Sequence, residues 1–89
     1  MNEFLLWKGK ANLKIGIIKM AGNIRITNER ILFETLSKKI EIKMKEIKDA
    51  SIEGKLIKRL RIESLKGNYS FFIPHAKDIL PLIRNFIHK

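Results

Sequence analysis

Eighty-nine residues with 19 Lys and Arg against 9 Asp and Glu, a formal net charge of +10, make one small domain, residues 1–89, too short to divide in two. The absence of cysteine excludes disulfides, thiolate metal sites and a Cys nucleophile. Apolar runs such as Phe4-Leu5-Leu6-Trp7 fall far short of the ~20 residues a spanning helix needs, and Met1-Asn2-Glu3 does not open a secretory signal, so a cytoplasmic protein is expected.

Taken from the N-terminus, Phe4–Leu13 and Lys14–Met20 read as two strands with a tight turn or bend near Asn12-Leu13, and Gly16 as a bulge or bend. Ala21-Gly22-Asn23 carries turn residues, after which Ile24 and Ile26 alternate with polar neighbours as a strand does. Thr27-Asn28-Glu29-Arg30 is the next turn signal, followed by Leu36-Ser37-Lys38. Lys39-Ile40-Glu41-Ile42-Lys43-Met44-Lys45 alternates most cleanly, with Ile40, Ile42 and Met44 on one face and charges on the other. Ile47–Ile52 is a further strand candidate, Glu53-Gly54-Lys55 a turn, and Arg59–Glu63 a strand with Leu60 and Ile62 inward. After Lys66-Gly67-Asn68, the aromatic-rich stretch to Ile73 reads as the last strand.

The period then changes. Ile79, Ile83, Phe86 and Ile87 fall at i, i+4, i+7 and i+8, the apolar stripe of a helix. Asp78 is placed as its N-cap, which puts Pro81 at the third helical position, where a missing N–H is harmless. Arg84, His88 and Lys89 then fall toward the C-terminal end, where positive charge is favourable. The expected architecture is mainly β with one C-terminal α-helix.

Catalytic chemistry has little to stand on. His75 sits at the strand–helix junction and His88 beside the C-terminus, each better suited to a local structural role. No carboxylate pair converges, no glycine-rich phosphate loop is present, and the acids lie beside Lys or Arg, so an enzyme is not expected. Two histidines and scattered acids offer no metal cluster, and no cofactor is expected. The charge admits nucleic acid or an anionic membrane, but aromatics are not interleaved with the basic residues, which disfavours nucleic acid. Of the 19 cations 14 are lysine, and the chain has no valine, so a general compositional bias toward Lys and Ile accounts for the charge equally well.

The run Gly22-Asn23-Ile24-Arg25-Ile26-Thr27-Asn28-Glu29-Arg30-Ile31-Leu32-Phe33-Glu34 resembles the GRAM family of the pleckstrin-homology-like superfold. That family's pattern is a glycine, a short strand ending in Thr, a turn with Arg, then two aliphatic residues and Phe. Lys8-Gly9-Lys10-Ala11-Asn12-Leu13 resembles its opening strand, and Leu60–Glu63 with Tyr69–Phe72 its closing hairpin. The resemblance implies a seven-stranded, partly open barrel of two packed antiparallel sheets, capped by the C-terminal helix. It implies structural roles for Thr27 and Arg30: the threonine bonds the turn and the arginine stem packs over the next strand. It also implies an anionic phospholipid surface as partner, with Lys8, Lys10, Lys14 and Lys19 of the first hairpin and nearby Arg25 as headgroup candidates. The Arg-x-Arg signature of phosphoinositide binders is missing from that hairpin and occurs only at Arg59–Arg61. The alternative partner is a protein, or a second copy in a homo-oligomer, with Trp7 as core residue or interface candidate.

Overall fold

The structure, a computed structural model, describes residues 2–87. Seven strands run in order: β1 (Leu5–Ile15), β2 (Ile18–Thr27), β3 (Arg30–Glu34), β4 (Lys39–Lys43), β5 (Ile47–Glu53), β6 (Arg59–Ser64) and β7 (Gly67–Phe72). A 3-10 turn, Met44–Glu46, joins β4 to β5, and one helix, α1 (Ala76–Ile87), closes the chain. The spatial order is β4-β3-β2-β1-β7-β6-β5, antiparallel throughout. The expected seven-stranded, partly open barrel is therefore present.

Its two layers are halves of one continuous sheet. β1 pairs with β2 over almost its whole length but with β7 only at Asn12–Lys14, and there the sheet turns over on itself. The inward residues of the two halves meet across the interior: the Phe33 ring on β3 stands edge-on to the Phe71 ring on β7, with centroids 5.9 Å apart. Strand alternation supplies the rest of this core, including Leu13, Ile24, Ile26, Ile31, Ile42, Leu60 and Ile62, all at most 2% exposed. β4 and β5 do not pair, which leaves a seam, and α1 packs along β5 beside it. Arg84 Nε donates to the Ala50 carbonyl oxygen on β5 at 3.1 Å, so the helix satisfies part of that open edge.

Three sequence expectations need correction. The first reversal lies at Gly16-Ile17, not at Asn12-Leu13, which are mid-strand in β1. Gly16 has φ +60°, and glycine at the first central position of a two-residue loop is the signature of a type II′ hairpin turn. Likewise Ala21-Gly22-Asn23 is not a turn but the middle of β2. Gly22 is there for space, since a Cβ on it would stand 2.2 Å from the Glu34 carbonyl oxygen at the end of β3.

The helix begins two residues before the expected cap. His75 adopts φ +60°, and its carbonyl accepts from the Asp78 and Ile79 amides at 2.9 and 3.1 Å. Asp78 therefore sits inside the first turn, and Pro81 is the sixth helical residue, not the third. The earlier start buries Ala76 along with Ile79 and Ile83. The amide that Pro81 lacks would have bonded the Lys77 carbonyl, on the exposed side of the helix, where water can substitute. The favourable placement expected of His88 and Lys89 lies outside the described residues.

Arg30 does more than cover the next strand with its stem. Its Nε and Nη2 grip both Glu3 oxygens at 2.7 and 2.6 Å, while Nη1 reaches Glu41 Oε2 at 2.6 Å. Thr27 does bond the turn as expected: its hydroxyl oxygen accepts from the Glu29 and Arg30 amides at 3.1 Å each, and its proton goes to Glu3 Oε2 at 2.7 Å. Asn28 completes a strap over the N-terminal segment, accepting from the Phe4 amide at 2.7 Å and donating to the Asn2 carbonyl at 3.2 Å. Phe4 in turn meets Phe86 edge-on at 6.1 Å, linking strap to helix.

A candidate anion-docking face on the first hairpin

On β1 the buried residues are Ala11 and Leu13, so Lys8, Lys10, Asn12 and Lys14 project from the outer face. The register carries that alternation to β2. Lys8 lies opposite Arg25, Lys10 opposite Asn23, Asn12 opposite Ala21, and Lys14 opposite Lys19. The structure thus brings all five lipid-candidate cations onto one hairpin face. Two of the four pairs set like charges directly across from each other, roughly 4.5–5.5 Å apart at Cβ, an arrangement that destabilises a sheet.

On the other strands charge is close to balance. β3 and β4 together carry Arg30, Lys39 and Lys43 against Glu34 and Glu41. β5, β6 and β7 carry Lys48, Arg59 and Arg61 against Asp49, Glu53 and Glu63. β1 and β2 carry five cations and no acid.

The arginines make the same point one by one. Arg30 is held by Glu3 and Glu41, and Arg59 and Arg61 by Glu53 at 3.6 and 3.0 Å. Arg84 bonds Ala50. Arg25 is the one arginine with no hydrogen bond or ion pair among the described residues. It shares a shallow groove of about 430 Å³ with Lys8, Lys10, Asn23 and a single acid, Glu34. A second groove, about 570 Å³, continues along the hairpin past Lys10, Asn12 and Ala21 to Phe72 and Pro74. Small side chains at Asn12 and Ala21 keep this surface low between the cations.

The paired acids show what a bound carboxylate looks like in this molecule. Glu3 is held down to about 2, first by its hydrogen bond from Arg30 and then by that from Thr27. The Arg61 guanidinium beside Glu53 lowers that carboxyl too, and both arginines are pushed up in return by their acids. Arg30 spends its whole fork on Glu3 and Glu41, whereas Arg59 meets Glu53 through Nε alone.

Trp7 is half-buried and packs against the core. Its ring folds over Gly9, where a Cβ would come within 2.6 Å of it. His75 Nδ1 stands 3.8 Å from Asp78 Oδ2 at the helix start, a local contact. Among the described residues, no group of three or more His, Cys, Asp or Glu is placed to hold a metal. No helix there is long and apolar enough to cross a membrane. A larger hollow, about 710 Å³, is lined by Met44, Phe86 and Ile87 together with Lys43, Lys45, the ion-paired Arg30 and the acids Glu29 and Glu41.

Sequence reading missed the exposed aliphatic side chains at turns: Ile17 and Ile18, Leu36, Leu56 and Ile57, and Leu65. A usable signal was present. Leu36 stands inside a segment recognisable as a turn, and a turn has no core to receive a leucine.

No protein-family model and no curated protein matches the chain. Solved structures do. The C-terminal domain of an unknown protein from Leishmania infantum superimposes with a TM-score of 0.78 at 17% identity, over 98% of this chain and 86% of that one. The Vps36 N-terminal PH domain superimposes with a TM-score of 0.72 at 12% identity, over 98% of this chain and 83% of that one. The fold is pleckstrin-homology-like. At these identities the likeness concerns the fold alone, and function has to be argued from the hairpin face.

Proposed function

We propose that this chain is a non-catalytic docking module, a GRAM-type domain of the pleckstrin-homology-like fold, that engages anionic phospholipid surfaces from the cytoplasm. The observation that carries this reading is the uncompensated face of β1 and β2, with Lys8 opposite Arg25 and Lys14 opposite Lys19. A sheet that sets like charges across from each other loses stability unless an anion sits between them. Each such cation near an anionic bilayer contributes about 1 kcal/mol, so five give a substantial but salt-sensitive attraction. Pleckstrin-homology-like domains commonly bind phosphoinositide lipids or proteins, and this face favours the first.

Co-sedimentation tests the reading. The chain should pellet with vesicles of phosphatidylcholine and phosphatidylserine, not with phosphatidylcholine alone, and binding should weaken as salt rises. The triple variant K8S/K10S/R25S should bind several-fold more weakly. Equal binding to neutral and anionic vesicles at low salt would end the proposal.

The runner-up is a protein-interaction module using the seam between β4 and the end of α1, favoured by the apolar floor that Met44, Phe86 and Ile87 give that hollow. Self-assembly of a chain with net charge +10 is opposed by its own field. Light scattering that shows dimers at physiological salt would reverse that judgement.

A further inference from the structure

Phe72 is an aromatic that the core does not use. Its neighbours Phe71 and Ile73 are buried, so alternation turns Phe72 to the outer face of β7. The other strand aromatics, Trp7, Phe33, Tyr69 and Phe71, lie in the core or pack against it, and Phe72 does neither. It stands opposite Asn12 on β1, half-buried, as one wall of the groove of about 570 Å³ that also takes in Lys10 and Asn23. No acid lines that groove.

Cations flank the ring on both sides. Lys10 shares the groove, and on β6 the Arg59 guanidinium carbon lies 5.8 Å from the ring centroid. Arg59 approaches Glu53 only through Nε at 3.6 Å, longer than a hydrogen bond. Through Lys10 and Asn23 the groove runs into the one that holds Lys8 and Arg25. From Arg25 to Phe72 the path crosses two strand spacings and four residues of β1, about 16 Å, room for a few nucleotides. No aromatic is interleaved with basic residues along the sequence, but the pairing of β1 with β7 and of β7 with β6 brings one among them from the far end of the chain.

We infer that this trough binds single-stranded nucleic acid: a base stacks on Phe72 while Lys8, Lys10, Arg25 and Arg59 hold the phosphates around it. Charge complementarity and the recessed ring together select this occupant. An aromatic platform among cations suits a strand of any sequence, since every base has a π face. Asn12 and Asn23, whose side-chain amides make no hydrogen bond among the described residues, offer donors and acceptors to the edge of a base so placed. A bilayer is a plane that meets the lysines without reaching a half-buried ring in a groove wall, and a duplex keeps its base faces stacked inside. An unpaired base meets both the ring and the charge. The inference goes beyond the membrane-docking reading; it shares Lys8, Lys10 and Arg25 with it, so the two partners compete for this face.

Fluorescence anisotropy at low salt, with labelled oligo(dT), oligo(U) and a DNA duplex of equal length, tests the inference. Both single strands should bind more tightly than the duplex, and the tighter of the two names the natural sugar. F72A should weaken single-strand binding by about fivefold or more, the loss expected when one stacked base goes unsupported, while pelleting with phosphatidylserine vesicles stays unchanged. F72L keeps apolar bulk without a π face and should bind as weakly as F72A, which guards against a truncation that fails to fold. F72W should restore binding, with its added emission quenched by oligo(dT). Duplex binding as tight as that of the single strands, full binding by F72L, or an equal loss of F72A on vesicles would overturn the stacking site. Failure of the unmodified chain to bind either strand would overturn it too and leave membrane docking standing. Strand binding without vesicle pelleting would do the reverse.

Discussion

Replacing Lys14 by Glu should stabilise the protein while weakening the membrane binding proposed for it, a combination that a merely structural lysine would not give. Lys14 lies directly opposite Lys19, so the substitution converts a like-charge cross-strand pair into an opposite-charge one. Such pairs are worth roughly 0.2–1 kcal/mol each way, so the swing should come to about 1 kcal/mol. For a domain of this size that raises Tm by about 4–8 °C. On the vesicle side the variant loses one positive charge and gains a negative one, about 2 kcal/mol at about 1 kcal/mol per charge, or roughly thirtyfold in affinity. Differential scanning calorimetry and vesicle titration at low salt measure the two effects in one preparation. K77E makes the same change in net charge on α1, away from the hairpin, and sets the scale of general electrostatics. If K77E weakened binding as much as K14E, or if K14E lowered Tm, the special role of the β1–β2 face would be refuted.

Other consequences are local. Glu3 has its carboxyl held at about 2 in the folded state against an ordinary 4.5, so its contribution is complete above about 4.5 and lost as pH falls toward 2. The Phe4 amide, bonded to Asn28 in the same strap, should titrate with that low midpoint by NMR, and a midpoint near 4.5 would show that Arg30 does not hold Glu3 in solution. Ile83→Ala removes a fully buried side chain of α1 and should cost about 2–4 kcal/mol in a urea melt; a loss below ~1 kcal/mol would mean that the helix does not seal the barrel. The two hairpin glycines should respond differently. Gly16→Ala forces an L-residue to φ +60° in open space and should cost about 1 kcal/mol. Gly22→Ala drives a methyl into the Glu34 carbonyl and should cost clearly more, by separating β3 from β2, and equal losses would contradict the close approach.

Most strands were legible because alternation survives in their sequences. Ile40, Ile42 and Met44, Leu60 and Ile62, and Ile24 and Ile26 all face inward as their period of two requires. Glycine was where reading failed. Gly16 and Gly22 are indistinguishable in one sequence, yet the first supplies a backbone angle and the second an empty volume beneath Glu34, a residue twelve positions away. The helix start was missed for a related reason. Asp78 is a better N-cap than His75 by local propensity, but starting at Ala76 adds another buried residue to the stripe, and that tertiary gain prevails. The Glu3–Arg30 clamp joins residues 27 apart and has no local signature. The family pattern puts Lys8, Lys10, Lys14 and Lys19 on the first hairpin, but their like-charge pairing depends on a register that a misplaced turn conceals.

Where the acids lie bears on whether a lysine-rich composition itself explains the positive face. A bias toward lysine adds cations without regard to topology, and the five acids that lie in strands would then be spread among all seven. Instead the acids of β3 and β4 and those of β5 and β6 stand on the same strands as most of the other strand cations, and β1 and β2 have none. Arginine is the sharper probe, because a bias toward lysine does not create it. Three of the five arginines are clasped by carboxylates and a fourth by a backbone carbonyl, whereas Arg25 stands opposite Lys8 with Glu34 the only acid in its groove. A guanidinium kept unpaired among cations retains its full fork of donors for an oxyanion. The register of one hairpin gathers five of the cations, none of them ion-paired among the described residues, on a pair of strands without an acid.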